Sequence, residues 1–264
     1  MDNPPSVALT IAGSDSSGGA GVQADLKTFA AHHVHGVCAI TAVTAQNTVG
    51  ITTVETISPV VVSAQIDSVL GDFDVKAVKT GMLATRSLVT EVCGRLEAYS
   101  RIPVVVDPVM ISTSGHRLLD DDAVELVRTR LLPIARVVTP NRLEAEALTG
   151  HSIDSFASAA QASTRLRELG ATAVVITGGH FDGPDAVDLL DDGTKIVELR
   201  GPRVEGPPTH GTGCTFAASI AAGLARGVAL ADAVAEAKRY IEGAIRHAGP
   251  LGQGPDIINH FWNK

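Results

Sequence analysis

The chain has 264 residues, of which 45% are hydrophobic, 19% charged and 3% aromatic, with a formal net charge of -8. A chain of that length buries roughly three quarters of its unfolded surface, so this apolar content specifies a packed core and excludes disorder over most of the length. Net negative charge and scarce aromatics together exclude a nucleic-acid partner or an anionic membrane surface, while a small anion can still be held by local backbone dipoles.

Short runs rich in Val, Ile and Ala alternate with longer segments of helical period, the pattern of a mostly parallel sheet covered by helices. Strands are predicted at residues 7–12, 37–42, 77–80, 103–107, 137–139 and 173–177. Helices are predicted at 22–31, 59–70, 85–100, 121–132, 142–148, 155–169, 213–225 and 229–247. After Thr177 the period changes. Leu189-Leu190, the turn Asp191-Asp192-Gly193-Thr194 and the run 196–199 read as an antiparallel hairpin that finishes one sheet edge. No Pro/Gly/Ser linker separates two cores, so residues 1–264 are expected to form one domain with 1–5 and the extreme C-terminus peripheral. Phe261 and Trp262 are expected to dock back on the surface. Cys38, Cys93 and Cys214 are too scattered for a disulfide framework, and the start Met1-Asp2-Asn3-Pro4-Pro5 lacks a basic leader. The longest apolar stretch, 216–225, is half of what a membrane span needs. A cytoplasmic protein with no membrane partner is expected.

In an open parallel sheet, ligands bind at the carboxyl ends of the strands, so the residues just after each strand carry the chemistry. Gly13-Ser14-Asp15-Ser16-Ser17-Gly18-Gly19-Ala20-Gly21 follows the first strand. It lacks Gly-x-Gly-x-x-Gly, and Ala20 stands where a Walker loop needs Lys, so both familiar nucleotide fingerprints are excluded. The loop permits close backbone approach to a ligand, or is simply a tight strand-to-helix turn. Gln46, after the second strand, carries a carboxamide that donates and accepts in parallel and so matches the edge of an aminopyrimidine. Met82 can lay a polarizable thioether on a flat ring or fill the core. Asp107-Pro108 ends the strand of Val104-Val105-Val106, where a carboxylate suits a Mg-nucleotide or merely starts a turn. Asn141 and Glu144, three apart, face one way on a helix; they can hold waters around a divalent cation or form a capping box.

Thr209-His210-Gly211-Thr212-Gly213-Cys214-Thr215 opens an apolar helix. Two glycines let backbone N–H groups converge and the helix dipole adds positive charge, so Gly211, Thr212 and Gly213 read as an anion hole or as a plain Thr/Gly helix cap. Cys214 in the first turn is expected to have its thiolate favoured, as a base or nucleophile, unless it is a small buried packing residue.

In this order, the segments Leu9 to Asp15, Gly18 to Lys27, Thr44-Ala45-Gln46-Asn47-Thr48, Lys79-Thr80-Gly81-Met82-Leu83, Val106-Asp107-Pro108-Val109-Met110, Thr139 to Ala145, Gly178-Gly179-His180 and Thr209 to Thr215 resemble the hydroxymethylpyrimidine/phosphomethylpyrimidine kinases of thiamine synthesis, a branch of the ribokinase superfamily. The resemblance implies a three-layer α/β sandwich, a homodimer, and ATP with Mg2+ as cofactors. It implies phosphorylation of 4-amino-5-hydroxymethyl-2-methylpyrimidine and then of the monophosphate. It places Gly13, Asp25, Gln46 and Met82 on the pyrimidine and Cys214 near the hydroxymethyl group, beside the anion hole. Asp107, Asn141, Glu144, Thr177 and Gly179 then hold the nucleotide, with Asp107 and Glu144 on the metal directly or through water. Two departures stand out. Thr177 replaces the family's usual Lys before Gly-Gly-His, and Gly206-Pro207-Pro208 replaces a Thr-Lys-Asn segment. The alternatives are a pyridoxine or pyridoxal kinase of the same superfamily and a pyrimidine-binding protein without catalysis.

Overall fold

The structure, a computed structural model, describes residues 4–112, 115, 117–177 and 185–263. Its first strand, β1 (Val7–Asp15), runs into helix α1 (Gly21–Ala31) and back to β2 (His35–Gln46), parallel to β1. β3 (Ile51–Thr56) turns back antiparallel on β2, and α2 (Pro59–Asp72) leads to β4 (Val75–Thr80) on the other side of β1. The chain then steps outward through α3 (Arg86–Glu97), β5 (Val104–Val106), α4 (Asp121–Leu126), β6 (Val137–Val138), α5 (Arg142–Thr149), α6 (Phe156–Glu168) and β7 (Val174–Ile176). β8 (Asp185–Asp191) and β9 (Ile196–Pro202) close the sheet as the antiparallel hairpin. β10 (Thr209–His210), α7 (Thr212–Ala225), α8 (Leu230–Arg246) and β11 (Asp256–Ile257) complete it. The sheet order is β3-β2-β1-β4-β5-β6-β7-β8-β9, mostly parallel with antiparallel strands at both edges.

Strand alternation sends side chains to two layers. Leu9 and Ile11 of β1 pack with Ile66 of α2, Val92 of α3, Leu148 of α5 and Leu166 of α6. Ala8, Ala77 of β4 and Val105 of β5 face Phe29 of α1, Ala217 and Ala221 of α7 and Val234 of α8. Small Ala residues on the second face let α7 lie close to the strands, which brings its first turn to their carboxyl ends. Thr10, Lys79 and Asp107 share the parity of that face, so polar side chains lie between sheet and helices there.

Three expectations change. β3 is absent from the predicted elements because only Ile51 of it is buried; Thr52 to Thr56 are exposed, so neither face carries an apolar alternation. The helix over 121–132 ends its α-helical part at Leu126 and continues as a π turn, Val127–Leu131, and a 3-10 turn at Pro133. The segment before the extreme C-terminus packs back on the domain: β11 pairs with β10, His260 lies 3.1 Å from Thr215 Oγ1, and Trp262 donates to Tyr240 O. Trp262 docks as expected, whereas Phe261 stays exposed. Among the described residues, no helix is long and apolar enough to cross a membrane.

Candidate active site

The chain order reverses between β1 and β4, and such switch points leave a crevice at the strand ends. Here the crevice is a cavity of about 200 Å³. Gly13 and Gln46 come from the ends of β1 and β2, Met82 and Asp107 from just after β4 and β5, and Gly211 to Cys214 from the start of α7. Asn141, Glu144 and Thr177 line its outer side. Of the residues singled out in the sequence, these eleven share one cavity.

Gly13 and Met82 give it an apolar stretch of wall. A Cβ on Gly13 would sit 3.1 Å from Met82 Sδ, so the glycine makes room for the thioether beside the strand. Gln46 stands next to it with Oε1 3.0 Å from Thr44 Oγ1 and Nε2 3.2 Å from His210 Nε2. The facing wall is the N-terminus of α7. Gly211 has φ 89°, and a Cβ there would lie 1.8 Å from Gly19 O, so this turn requires glycine twice over. Helix α7 has no side-chain cap and no acid in its first turn, and its first backbone pairing is Thr215 N to Gly211 O at 3.0 Å. The N–H groups of Thr212, Gly213 and Cys214 precede that pairing and, with the dipole, favour an anion.

Asp25 does not join the others on the cavity. It is fully buried on α1 beneath the floor, where Thr10 donates to it at 2.6 Å and Lys79 Nζ lies 3.0 Å away. Lys79, also fully buried, reaches Asp107 Oδ2 at 3.5 Å. A Cβ on Gly81 would come 2.9 Å from Lys79 Nζ, so that glycine leaves space for the ammonium. Burial alone would push Lys79 down; the facing Asp25, Cys214 and Asp107 groups outweigh it and hold the lysine protonated. Sequence reasoning left Lys79 without a role. Its signal was a lysine in the strand Val75–Thr80, spaced to face the same core as Ala77.

The expected thiolate is not what the cavity favours. Burial pushes the Cys214 thiol up to about 12, helped by Asp107 and Asp25 and opposed by Lys79 and the Gly21 N–H. The dipole of one helix end does not offset that loss of hydration.

Beyond Thr212 and Gly213 the crevice widens into a second cavity of about 720 Å³. Both cavities share Asn141, Glu144, Thr177 and Ser112. Asn141 and Glu144 form a complete capping box: Glu144 N donates to Asn141 Oδ1 at 3.0 Å, and Asn141 N donates to Glu144 Oε2 at 2.9 Å. Burial and then the Asp107 carboxylate push Glu144 up. Thr177 N donates to Pro140 O at 3.1 Å, which ties β7 to that cap. Gly179 lies outside the described residues. Lys238 of α8 lines the second cavity, 2.9 Å from Asp188 Oδ2, and supplies a cation that sequence reasoning did not single out. Its position between Ala237 and Ile241, on the buried face of α8, was the available signal.

Residues 15–259 match the family model for phosphomethylpyrimidine kinase. The chain belongs to the phosphomethylpyrimidine kinase family. It is 51% identical over 259 residues, 97% of each chain, to the hydroxymethylpyrimidine/phosphomethylpyrimidine kinase of Rhizobium meliloti. The crystal structure of the phosphomethylpyrimidine kinase from Clostridium difficile is similar with a TM-score of 0.81 and 41% identity, covering 90% of this chain and 99% of that one. An ADP complex of Bacillus subtilis pyridoxal kinase is similar with a TM-score of 0.91 and 37% identity over 97% of each. The fold is therefore ribokinase-like, and phosphomethylpyrimidine kinases share it with enzymes that phosphorylate another heterocyclic alcohol.

Proposed function

We propose that this chain transfers the γ-phosphoryl group of ATP to 4-amino-5-hydroxymethyl-2-methylpyrimidine and then to its monophosphate, as a kinase of thiamine biosynthesis. One observation carries the reading beyond family membership: an apolar surface and a hydrogen-bonding fork, Met82 and Gln46, share a single cavity with an uncapped helix N-terminus. The pyrimidine lies against Gly13 and Met82 with its amino edge on Gln46, and its hydroxymethyl group points toward Cys214. ATP lies in the wider cavity, with Lys238 and Thr177 along it and the γ-phosphate at the N–H groups of Thr212, Gly213 and Cys214.

The alcohol oxygen forms the new bond to phosphorus as the bond to the β–γ bridging oxygen breaks, and ADP leaves. Phosphoryl transfer depends on alignment and on donors around the equatorial oxygens, which the α7 N-terminus supplies without reorganisation. The alcohol proton leaves late in a loose transition state, so the base can be weak until then. Cys214 lies at the hydroxymethyl oxygen; burial, more than Asp107, holds its thiol up at about 12, so it takes the alcohol proton only in its ionised fraction, which a cation beside Asp107 would raise. Asp107 and Glu144 also fit a divalent cation carried on phosphates. Burial and then the facing Asp107 push Glu144 up, and Asp107 Oδ2, whose cationic neighbour Lys79 is 3.5 Å away, accepts no hydrogen bond, so the two carboxylates can take a further positive charge. Two carboxylates plus phosphate oxygens and waters suit Mg2+, which would neutralise the transferring oxygens. A homodimer belongs to the same reading.

The test is steady-state ADP release with MgATP and, separately, the hydroxymethylpyrimidine, its monophosphate and pyridoxal. Turnover of both pyrimidines supports the reading. Turnover of pyridoxal alone replaces it with the pyridoxal kinase activity of the structural neighbour. Cys214→Ala is expected to lose about 10²–10⁴-fold in kcat while pyrimidine affinity is retained.

A further inference from the structure

The carboxamide of Gln46 is held from two sides, and both neighbours have other commitments. His210 Nε2, 3.2 Å from Gln46 Nε2, also lies 2.9 Å from Asp15 Oδ2. Asp15 is an ionised acceptor, held at about 2 against the effect of burial by hydrogen bonds from His210, Ser17 and the Ala20 N–H. His210 Nε2 therefore carries a hydrogen whether the imidazole is neutral or charged, and a nitrogen that carries one cannot accept from an amide N–H. On the other side, Thr44 Oγ1 lies 3.0 Å from Gln46 Oε1 and 3.0 Å from Ser14 O. Its single hydrogen serves one of those two oxygens.

A half-turn of the amide about its terminal torsion exchanges two atoms of nearly equal size and resolves both conflicts. The one His210 Nε2–H is then shared, with Asp15 Oδ2 at 2.9 Å as its main acceptor and Gln46 Oε1, turned into the place 3.2 Å away, as its second, so that a donor no longer meets a donor. Gln46 Nε2 donates to Thr44 Oγ1, and Thr44 donates to Ser14 O. Every contact in the chain has one donor and one acceptor, and no other assignment achieves that with Asp15 ionised.

We propose that His210 and Thr44 lock the Gln46 carboxamide in one orientation, Oε1 toward His210 and Nε2 toward Thr44, and thereby make Gln46 select a heterocycle whose exocyclic group donates and whose adjacent ring nitrogen accepts. The proposal rests on the pyrimidine reading of this cavity. In the locked orientation Gln46 keeps one lone pair on Oε1 and one hydrogen on Nε2 for the ligand. A 4-aminopyrimidine offers the matching N–H and ring nitrogen. Its 4-oxo counterpart offers the reverse order, oxygen as acceptor and ring N–H as donor. Binding it requires the amide to turn, which sets an N–H against His210 Nε2–H and leaves buried polar groups unpaired. His210 and Thr44 are positioning residues: they act on the ligand through Gln46.

The experiment is titration calorimetry of 4-amino-5-hydroxymethyl-2-methylpyrimidine and its 4-oxo counterpart on the parent chain, on Thr44→Ser, Thr44→Val and His210→Phe, and on the Thr44→Val/His210→Phe double variant, each checked for folding by circular dichroism. The parent and Thr44→Ser are expected to prefer the amine by about 10- to 100-fold, the range of a bidentate contact against the wrong donor order, and the double variant to fall to near parity. Should the double variant not fold, Thr44→Val carries the test, with a several-fold drop in the ratio expected. A ratio that stays unchanged overturns the proposal whatever happens to the absolute affinities, because a purely structural role weakens both ligands alike. Near parity in a parent that binds the amine tightly also overturns it. A parent that binds neither pyrimidine overturns the functional reading instead, so the two failures are told apart.

Discussion

Two glycine-containing turns meet at one edge of the cavity, and they do opposite things with the same backbone chemistry. The turn before α1 is already filled: the Asp15 carboxylate accepts from Ser17 N and Oγ at 2.8 Å and from Ala20 N at 2.8 Å, and His210 reaches it at 2.9 Å. The turn before α7 has no side-chain cap and no acid. A helix N-terminus beside a strand end is thus an anion site only where the protein has not placed its own anion there. The richer glycine run, Gly18-Gly19 to Gly21, is the filled one, and the sparser run at 211–213 is the open one.

The contrast breaks most sharply at Gly211. An alanine there strains a φ of 89° and drives its Cβ onto Gly19 O. The expected result for Gly211→Ala is a loss of about 10²–10³-fold in kcat/KM with MgATP, the scale of a displaced oxyanion donor, measured alongside pyrimidine affinity. Unchanged kcat/KM would show that the open turn is not where phosphate is held.

Beneath both turns, Lys79 joins Asp25 of α1 to Asp107 at the floor. Lys79→Met leaves Asp25 buried without its partner and is expected to cost about 3–5 kcal/mol of stability in denaturant titration. The double variant with Asp25→Asn should recover a large part of it. A single variant as stable as the parent would mean that the two turns fold independently of the charge below them.

How far the sequence reveals this site depends on whether a residue's role is written in its neighbours along the chain or across the sheet. The strand ends at Gly13, Gln46, Met82 and Asp107 are legible because each follows a short apolar run, and ligands collect there in an open parallel sheet. The placement of Asp25 and Lys79 is not. They meet because β1, β4 and α1 pack on one face, 54 residues apart in sequence; the strand spacing puts Lys79 on the face of Ala77, but only the packing brings an acid to it. The thiol shift of Cys214 was misjudged for a related reason: the helix end is local and visible, while the burial and the two carboxylates that outweigh it are tertiary. β3 escaped because an edge strand exposed on both faces has no apolar period to show.

The filled turn has its own test in acid. Asp15 sits at about 2 instead of 3.8, so its ionised form contributes about 2 kcal/mol of stability above pH 4, which is lost as the pH falls toward 2. Urea midpoints of the parent should drop over that window, and Asp15→Asn should start lower at neutral pH and lose the dependence. A parent midpoint flat between pH 4 and 2.5, where Asp15 of the unfolded chain takes up a proton and the folded one stays ionised, would mean that the carboxylate is not the anion filling the turn.

The smallest effect sharpens the comparison with a third helix start. Helix α5 begins at Asn141, whose side chain and that of Glu144 satisfy each other's backbone N–H groups. Its N-terminus is therefore filled, like the turn before α1, although it borders the wider cavity in which ATP is proposed to lie. Asn141→Ala removes one accepted hydrogen bond and is expected to cost about 1 kcal/mol in stability. Glu144 keeps its hydrogen bond from the backbone N–H of residue 141, so it should still face Asp107, and KM for MgATP should change by less than about threefold, a shift below 1 kcal/mol. A much larger rise in KM would separate α5 from the filled class: it would mean that the Asn141 side chain leaves its cap to contact nucleotide or its waters, and that an occupied helix end on this rim is held in reserve for the ligand.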